Sequence, residues 1–97
     1  MTHTTVRWTR RALARLDQIG GYIAKDNPEA ATRVISRIVT AVDALAEQPG
    51  IGRPGRIRTT RELVLADIPY IIAYRVTDDH VDILTVMHGA QQWPEVL

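Results

Sequence analysis

Cysteine is absent from the 97 residues, which excludes disulfides, thiolate nucleophiles and thiolate metal sites together and fits a reducing compartment. Lysine occurs once, at Lys25, and serine once, at Ser36 inside a helical stretch. No Walker-type glycine loop, HExxH pair or GxSxG elbow is present, so the enzymes built on those motifs are set aside. Nowhere does an apolar run approach the roughly 18 residues that a membrane span needs. The start, Met1-Thr2-His3-Thr4-Thr5, lacks the basic-then-apolar pattern of a secretory signal. A soluble cytoplasmic protein with no membrane contact is the expectation. Internal repeats, long linkers and low-complexity segments are also missing, so residues 1–97 are read as a single domain.

What is present is 45% hydrophobic residues, enough for one modest core. A chain of this size buries only roughly 60–65% of the surface exposed when unfolded, so a permanently bound partner would help its stability. The formal charge is +1, yet the basic residues are almost all arginine. Arg53, Arg56, Arg58 and Arg61 fall within nine positions, a local basic patch suited to phosphate or to an acidic partner. An ordinary solvated face explains such a cluster equally well.

Thr4-Thr5-Val6-Arg7-Trp8 is β-branched and aromatic and predicts a strand, after which Thr9 can cap a helix. Over residues 10 to 25 the apolar positions Ala12, Leu16, Ile19 and Ile23 lie on one helical stripe. Gly20-Gly21 costs this helix about 1 kcal/mol per glycine, and close packing against another backbone would explain tolerating them. Asn27-Pro28-Glu29 then restarts a helix: Asn27 caps, Pro28 suits the first position and Glu29 complements the positive helix end. Ala31, Val34 or Ile35, Ile38, Val42 and Leu45 form its stripe, which ends before Gln48-Pro49-Gly50. So short a link predicts an antiparallel helix hairpin.

Past the Pro- and Gly-rich loop Pro49–Gly55 the period changes to two. Residues 56 to 67, 70 to 76 and 81 to 88 are expected as three strands, joined through Ile68-Pro69 and Thr77–His80 as antiparallel neighbours. The fold class is therefore α+β, β-α-α-β-β-β: an N-terminal strand, a helix hairpin and a three-stranded antiparallel sheet in two layers.

His88 closes the last predicted strand on the face of Leu84 and Val86. It reads as a partly buried histidine hydrogen-bonded to backbone, or as a proton donor or acceptor at the sheet rim. Arg75 shares a face with Ile71 and Ala73, where an unpaired buried charge would cost several kcal/mol. Pairing with Asp82 or Glu62 answers this, and so does gripping a phosphate. Tyr70 and Tyr74 share a face that either covers the core or stacks on a base. Trp93-Pro94 reads as a hydrophobic clasp for the tail, or as an exposed partner contact. His3 and His80 have no metal-ligand spacing to anything, and no metal or cofactor is expected.

In order and spacing, Tyr22-Ile23-Ala24, Asp26-Asn27-Pro28, Leu45 to Pro49, Gly52-Arg53-Pro54-Gly55-Arg56, Thr60-Arg61-Glu62-Leu63, Pro69-Tyr70-Ile71, Tyr74-Arg75-Val76 and Ile83-Leu84 to His88-Gly89 with Trp93-Pro94 resemble the RelE/ParE superfamily of toxins. The resemblance covers nearly the whole chain. It implies the toxin of a type II toxin–antitoxin pair, a cytoplasmic protein neutralised by a cognate antitoxin. That antitoxin would lay a helix along the helix hairpin or add a strand to a sheet edge. Direct DNA recognition is not implied, since operator binding in such pairs belongs to the antitoxin.

The resemblance leaves two targets open. RelE-like members cut messenger RNA on the ribosome with basic residues of the sheet face. Here Arg61 and Arg75 with His88 would be the catalytic set, and Arg53, Arg56, Arg58 and Arg61 the phosphate- or target-binding set. ParE-like members inhibit DNA gyrase, arrest growth and serve in plasmid stabilization. The lysine-rich catalytic strand of RelE is missing, no tyrosine follows Tyr74, and an arginine makes a poor base. The inventory tilts toward a non-enzymatic gyrase inhibitor, with the endoribonuclease as the alternative.

Overall fold

The computed structural model describes residues 4–94. It begins with strand β1 (Thr5–Trp8) and passes into helix α1 (Arg10–Ala24). Thr9 makes that junction: its Oγ1 accepts the Ala12 N–H at 3.1 Å and donates to the Ile83 carbonyl at 2.7 Å. One hydroxyl thus caps the helix and ties it to the last strand. Helix α2 (Pro28–Ala44) starts as the sequence suggests, with Asn27 Oδ1 accepting from the Ala30 N–H at 3.0 Å and Pro28 in the first turn.

Four more strands follow: β2 (Arg53–Pro54), β3 (Arg61–Val64), β4 (Tyr70–Val76) and β5 (His80–His88). They join β1 in one five-stranded sheet of order β1-β5-β4-β3-β2. The α+β class and the helix pair hold, but the sheet is larger and mixed, because β1 lies parallel to β5. The expected strand over 56 to 67 shrinks to four residues, and Arg53–Pro54, read as loop, pairs with β3. The alternation Arg56-Ile57-Arg58 imitates a strand. The backbone instead turns, with the Gly55 N–H donating to the Thr60 carbonyl at 2.8 Å and Thr59 at φ 67. A Cβ on Gly55 would collide with Thr60, so this turn requires the glycine.

Helix residues Ala12, Ile19, Ile38, Ala41, Val42 and Leu45 pack with Ile72, Tyr74, Val81, Ile83 and Val86 to form the core on one sheet face. Full burial of such aliphatic side chains contributes about 1.5–3 kcal/mol each. Alternation should put Val81, Ile83 and Thr85 on the same face. A bulge intervenes: Ala73 pairs with Thr85 but Tyr74 with Ile83, which leaves Leu84 extra. Val86 thereby returns to the core, and Thr85 and Met87 turn to the opposite face.

Of the glycine pair, only Gly20 is packed, since a Cβ there would lie 3.3 Å from the Ile35 side chain. Nothing lies within 4 Å of one at Gly21. The expected packing against another backbone is found at neither glycine: Gly20 makes room for a side chain, and Gly21 for nothing within 4 Å. No helix is long and apolar enough to cross a membrane, among the described residues.

Candidate functional site on the open face of the sheet

The face away from the helices carries Arg7, Asp82 and His80 at one side, Arg75 and Ala73 in the middle, and Glu62 with Arg53 at the other. The register Arg53↔Glu62, Glu62↔Ala73, Ala73↔Thr85 runs across four strands as one row. Glu62 organises the arginine-rich end. Its side chain is only 2% exposed, yet its Oε1 accepts from Arg53 Nη2 at 2.8 Å. Its Oε2 accepts from the Arg56 backbone N–H at 2.8 Å and from Arg56 Nε at 3.2 Å. Burial pushes this carboxyl up, but the Arg56 N–H and the two guanidinia outweigh it and hold it below the ordinary carboxylate value.

The four clustered arginines therefore have different employments. Arg53 and Arg56 neutralise Glu62, and the Arg56 guanidinium also lies 4.0 Å over the Trp93 ring. Trp93-Pro94 thus folds back as a half-buried clasp held by a cation. Arg61 stands opposite Tyr74 and donates to the carbonyls of Gly52 at 2.7 Å and Gly50 at 3.4 Å, pinning the 50–52 loop. Arg58 is exposed and, among the described residues, has no carboxylate within 4 Å.

Arg75 sits opposite Asp82, but the two form no ion pair. Asp82 is held instead by Arg7 at 3.3 Å and by His80 at 3.2 Å. Arg75 Nε donates to Thr59 Oγ1 at 3.2 Å, the left-handed residue of the turn. The expected pairing of Arg75 with Asp82 or Glu62 is corrected accordingly, since nearer arginines take both carboxylates.

His88 Nδ1 accepts the Ala90 N–H at 3.1 Å, and its ring meets Tyr70 edge-on at 5.4 Å. Tyr70 packs on the core, while Tyr74 is fully buried with its hydroxyl between the Gly52 N–H and the Pro49 carbonyl, each at 2.8 Å. Burial pushes the Tyr74 phenol up, with the Gly52 N–H and Arg61 opposing it only in part. Both tyrosines serve the core. His88 stands beside Tyr70, five residues along β4 from Arg75, a span of about 17 Å. Arg61, beside Tyr74, is about 14 Å from that end by the same rise. The three candidate catalytic residues do not converge on one reacting atom.

Among the described residues no group of three or more His, Asp or Glu side chains could hold a metal ion. His3 lies outside the described residues. Sequence reasoning missed Glu62 as the hub, although a lone acid directly following the four arginines of residues 53–61 was the available signal. It also missed the Arg7, His80 and Asp82 group, because β1 meets β5 only in the folded chain.

The profile of the family described as ParE toxin of type II toxin-antitoxin system, parDE, matches residues 6–93. Y4kP of Sinorhizobium fredii, a protein whose name marks it as a candidate toxin, is 69% identical over 97 residues, covering 100% of both chains. Toxin RelE2 of Caulobacter vibrioides is 46% identical over 89% of this chain and 96% of its own. A solved chain of the chromosomal ParDE toxin–antitoxin system of P. aeruginosa superposes with a TM-score of 0.81 at 30% identity, covering 89% of this chain and 96% of that one.

Proposed function

Since the chain belongs to the ParE toxin family of type II toxin–antitoxin systems, we propose that it arrests growth by binding and inhibiting DNA gyrase rather than by cutting messenger RNA. The observation that carries this reading is the scattering of the proton-transfer and cationic groups. Cleavage of RNA needs a base, an acid and cations gathered on one phosphate. Here Arg53 and Arg56 are both tied to the single Glu62 carboxylate, Arg61 is turned onto backbone carbonyls, and His88 Nδ1 is occupied by an N–H. A face of fixed arginines suits recognition of a protein surface, where planar guanidinia are common anchors.

The cognate antitoxin, in this reading, lays an amphipathic helix into the cleft of about 290 Å³ lined by Leu13, Leu16, Asp17, Gly20, Gly21 and Ile35. Leu13 is 50% exposed there and Tyr22 nearby is 75% exposed, apolar surface that a partner would cover. Antitoxin binding also stabilises a small domain by mass action.

The deciding experiment adds purified toxin to gyrase and relaxed plasmid. Loss of supercoiling at low stoichiometry is expected. Intact supercoiling together with cleavage of ribosome-bound messenger would overturn the proposal in favour of an endoribonuclease. Arg58 and Arg75, which lack carboxylate partners among the described residues, favour that second reading. Under it His88→Ala and Arg61→Ala abolish toxicity in folded protein.

A further inference from the structure

The β4–β5 hairpin ends in a tight turn, in which the Thr77 N–H and the Thr77 hydroxyl both donate to the His80 carbonyl at 2.9 Å and the His80 N–H donates to Thr77 Oγ1 at 3.2 Å. Asp78 and Asp79 are thereby held exposed at its tip. Val76, the last residue of β4, is 40% exposed beside them. It walls a hollow of about 440 Å³ together with Pro54, Thr59, Thr60 and Arg61.

Next to Val76 on the strand side come cations. Arg75 precedes it, and the bond from Arg75 Nε to Thr59 Oγ1 at 3.2 Å ties that guanidinium to the 55–60 turn. Arg58, the neighbour of Thr59, is exposed on the same turn. Thr59 itself holds a left-handed φ of 67, unfavourable for a β-branched residue, and strain of this kind collects where a surface is used. Among the described residues, none of Arg58, Arg75, Asp78 and Asp79 has an opposite charge within 4 Å. Two cations, an exposed apolar residue and two anions thus share one hairpin end.

We infer that this hairpin end is an interface with a second copy of the chain, related by a two-fold axis near Val76 and Thr77, in which Arg58 and Arg75 of each copy meet Asp78 and Asp79 of the other. A two-fold contact requires a patch complementary to itself, and an axis through the apolar centre lays each sign over its opposite. The mixture of signs selects against other partners. A nucleic acid or an acidic protein face would be repelled by Asp78 and Asp79, and a basic face by Arg58 and Arg75. The net charge of +1 leaves little overall repulsion between two copies. At the axis the two Val76 side chains leave water together. Solvated ion pairs contribute little singly, so the dimer is weak and salt-sensitive. The inference is independent of which target the toxin strikes.

The test weighs the full chain by sedimentation equilibrium at low salt. Wild type should approach twice the mass of one chain between micromolar and millimolar protein, and return toward one chain as salt is raised. Arg58→Asp with Arg75→Asp, and separately Asp78→Arg with Asp79→Arg, should each weaken the association at least about tenfold, and an equimolar mixture of the two variants should restore it. Circular dichroism reports the folding of each variant alone. Should a double reversal unfold, the single reversals Arg58→Asp and Asp79→Arg carry the same comparison. Arg10→Asp with Arg33→Asp, at exposed helix positions, shifts the net charge as far as the first variant does and should leave the dimer intact. A wild type that stays at one chain into the millimolar range, an association that neither reversal weakens or that the helix variant weakens equally, or a mixture of folded variants that stays monomeric each overturns the inference.

Discussion

Replacing Glu62 with glutamine removes one charge from a site that is 2% exposed and changes the volume hardly at all. The carboxylate accepts four hydrogen bonds: Arg53 Nε at 3.2 Å, Arg53 Nη2 at 2.8 Å, the Arg56 N–H at 2.8 Å and Arg56 Nε at 3.2 Å. The guanidinia are 54% and 45% exposed, so they recover water when the charge goes and their share of the loss is small. What does not recover is geometry. A carboxamide has one acceptor oxygen, and its NH₂ must face a donor in a closed site. We expect a cost of about 2 kcal/mol, a fall in Tm of about 8–16 °C for a domain of this size.

The pH dependence sharpens this expectation. The folded carboxyl is held below its unfolded value, near 4.5, so its contribution is complete above that pH and fades as pH falls through the folded value. Urea denaturation of wild type and E62Q should therefore show a gap at neutral pH that narrows as the pH falls below 4.5 and through the folded value, because a protonated glutamate resembles glutamine. A gap of constant size across that range, or none at neutral pH, refutes the assignment of Glu62 as an ionised hub.

Further outcomes follow from the same geometry. Tyr74→Phe leaves the Gly52 N–H unpaired in a buried loop anchor and should lower stability by about 1–3 kcal/mol in chemical denaturation. Gly21→Ala should raise helix stability by about 0.5–1 kcal/mol, whereas Gly20→Ala gains less because its Cβ meets Ile35 at 3.3 Å; Tm ranks the two. Thr59→Gly relieves a β-branched residue at φ 67 and should stabilise by about 1 kcal/mol, read by the same denaturation. Arg37→Ala breaks only the solvated pair with Asp67 and should leave Tm unchanged, a surface control for E62Q.

The helices were legible because their signals are local. Thr9, Asn27 and Pro28 announce the starts, and a period of 3.6 marks the buried stripes. The sheet was legible only in part. Nothing in Thr5–Trp8 reveals that it will pair with a strand 75 positions later, and the bulge at Leu84 shifts every inward position after it. The turn at Gly55–Thr60 was hidden by residues that alternate as a strand does. As for the open face, the arginine cluster was visible, but its division of labour was not, since a side chain's partner is decided by register. His88 and Arg75 looked like neighbours in type; the sheet sets His88, on β5, beside Tyr70 and so at the far end of β4 from Arg75.

The parallel pairing of β1 with β5 joins the first-made strand to the last-made one. During synthesis, Thr5–Trp8 leaves the ribosome with no sheet position to occupy until residues 80–83 follow it out. Thr9 waits as well, since the carbonyl that anchors it belongs to Ile83. Helices and the β3–β4 hairpin assemble from nearby contacts, and closure of the edge comes last because it spans most of the chain. A product truncated before residue 80 lacks the strand that seats both its first strand and its first helix.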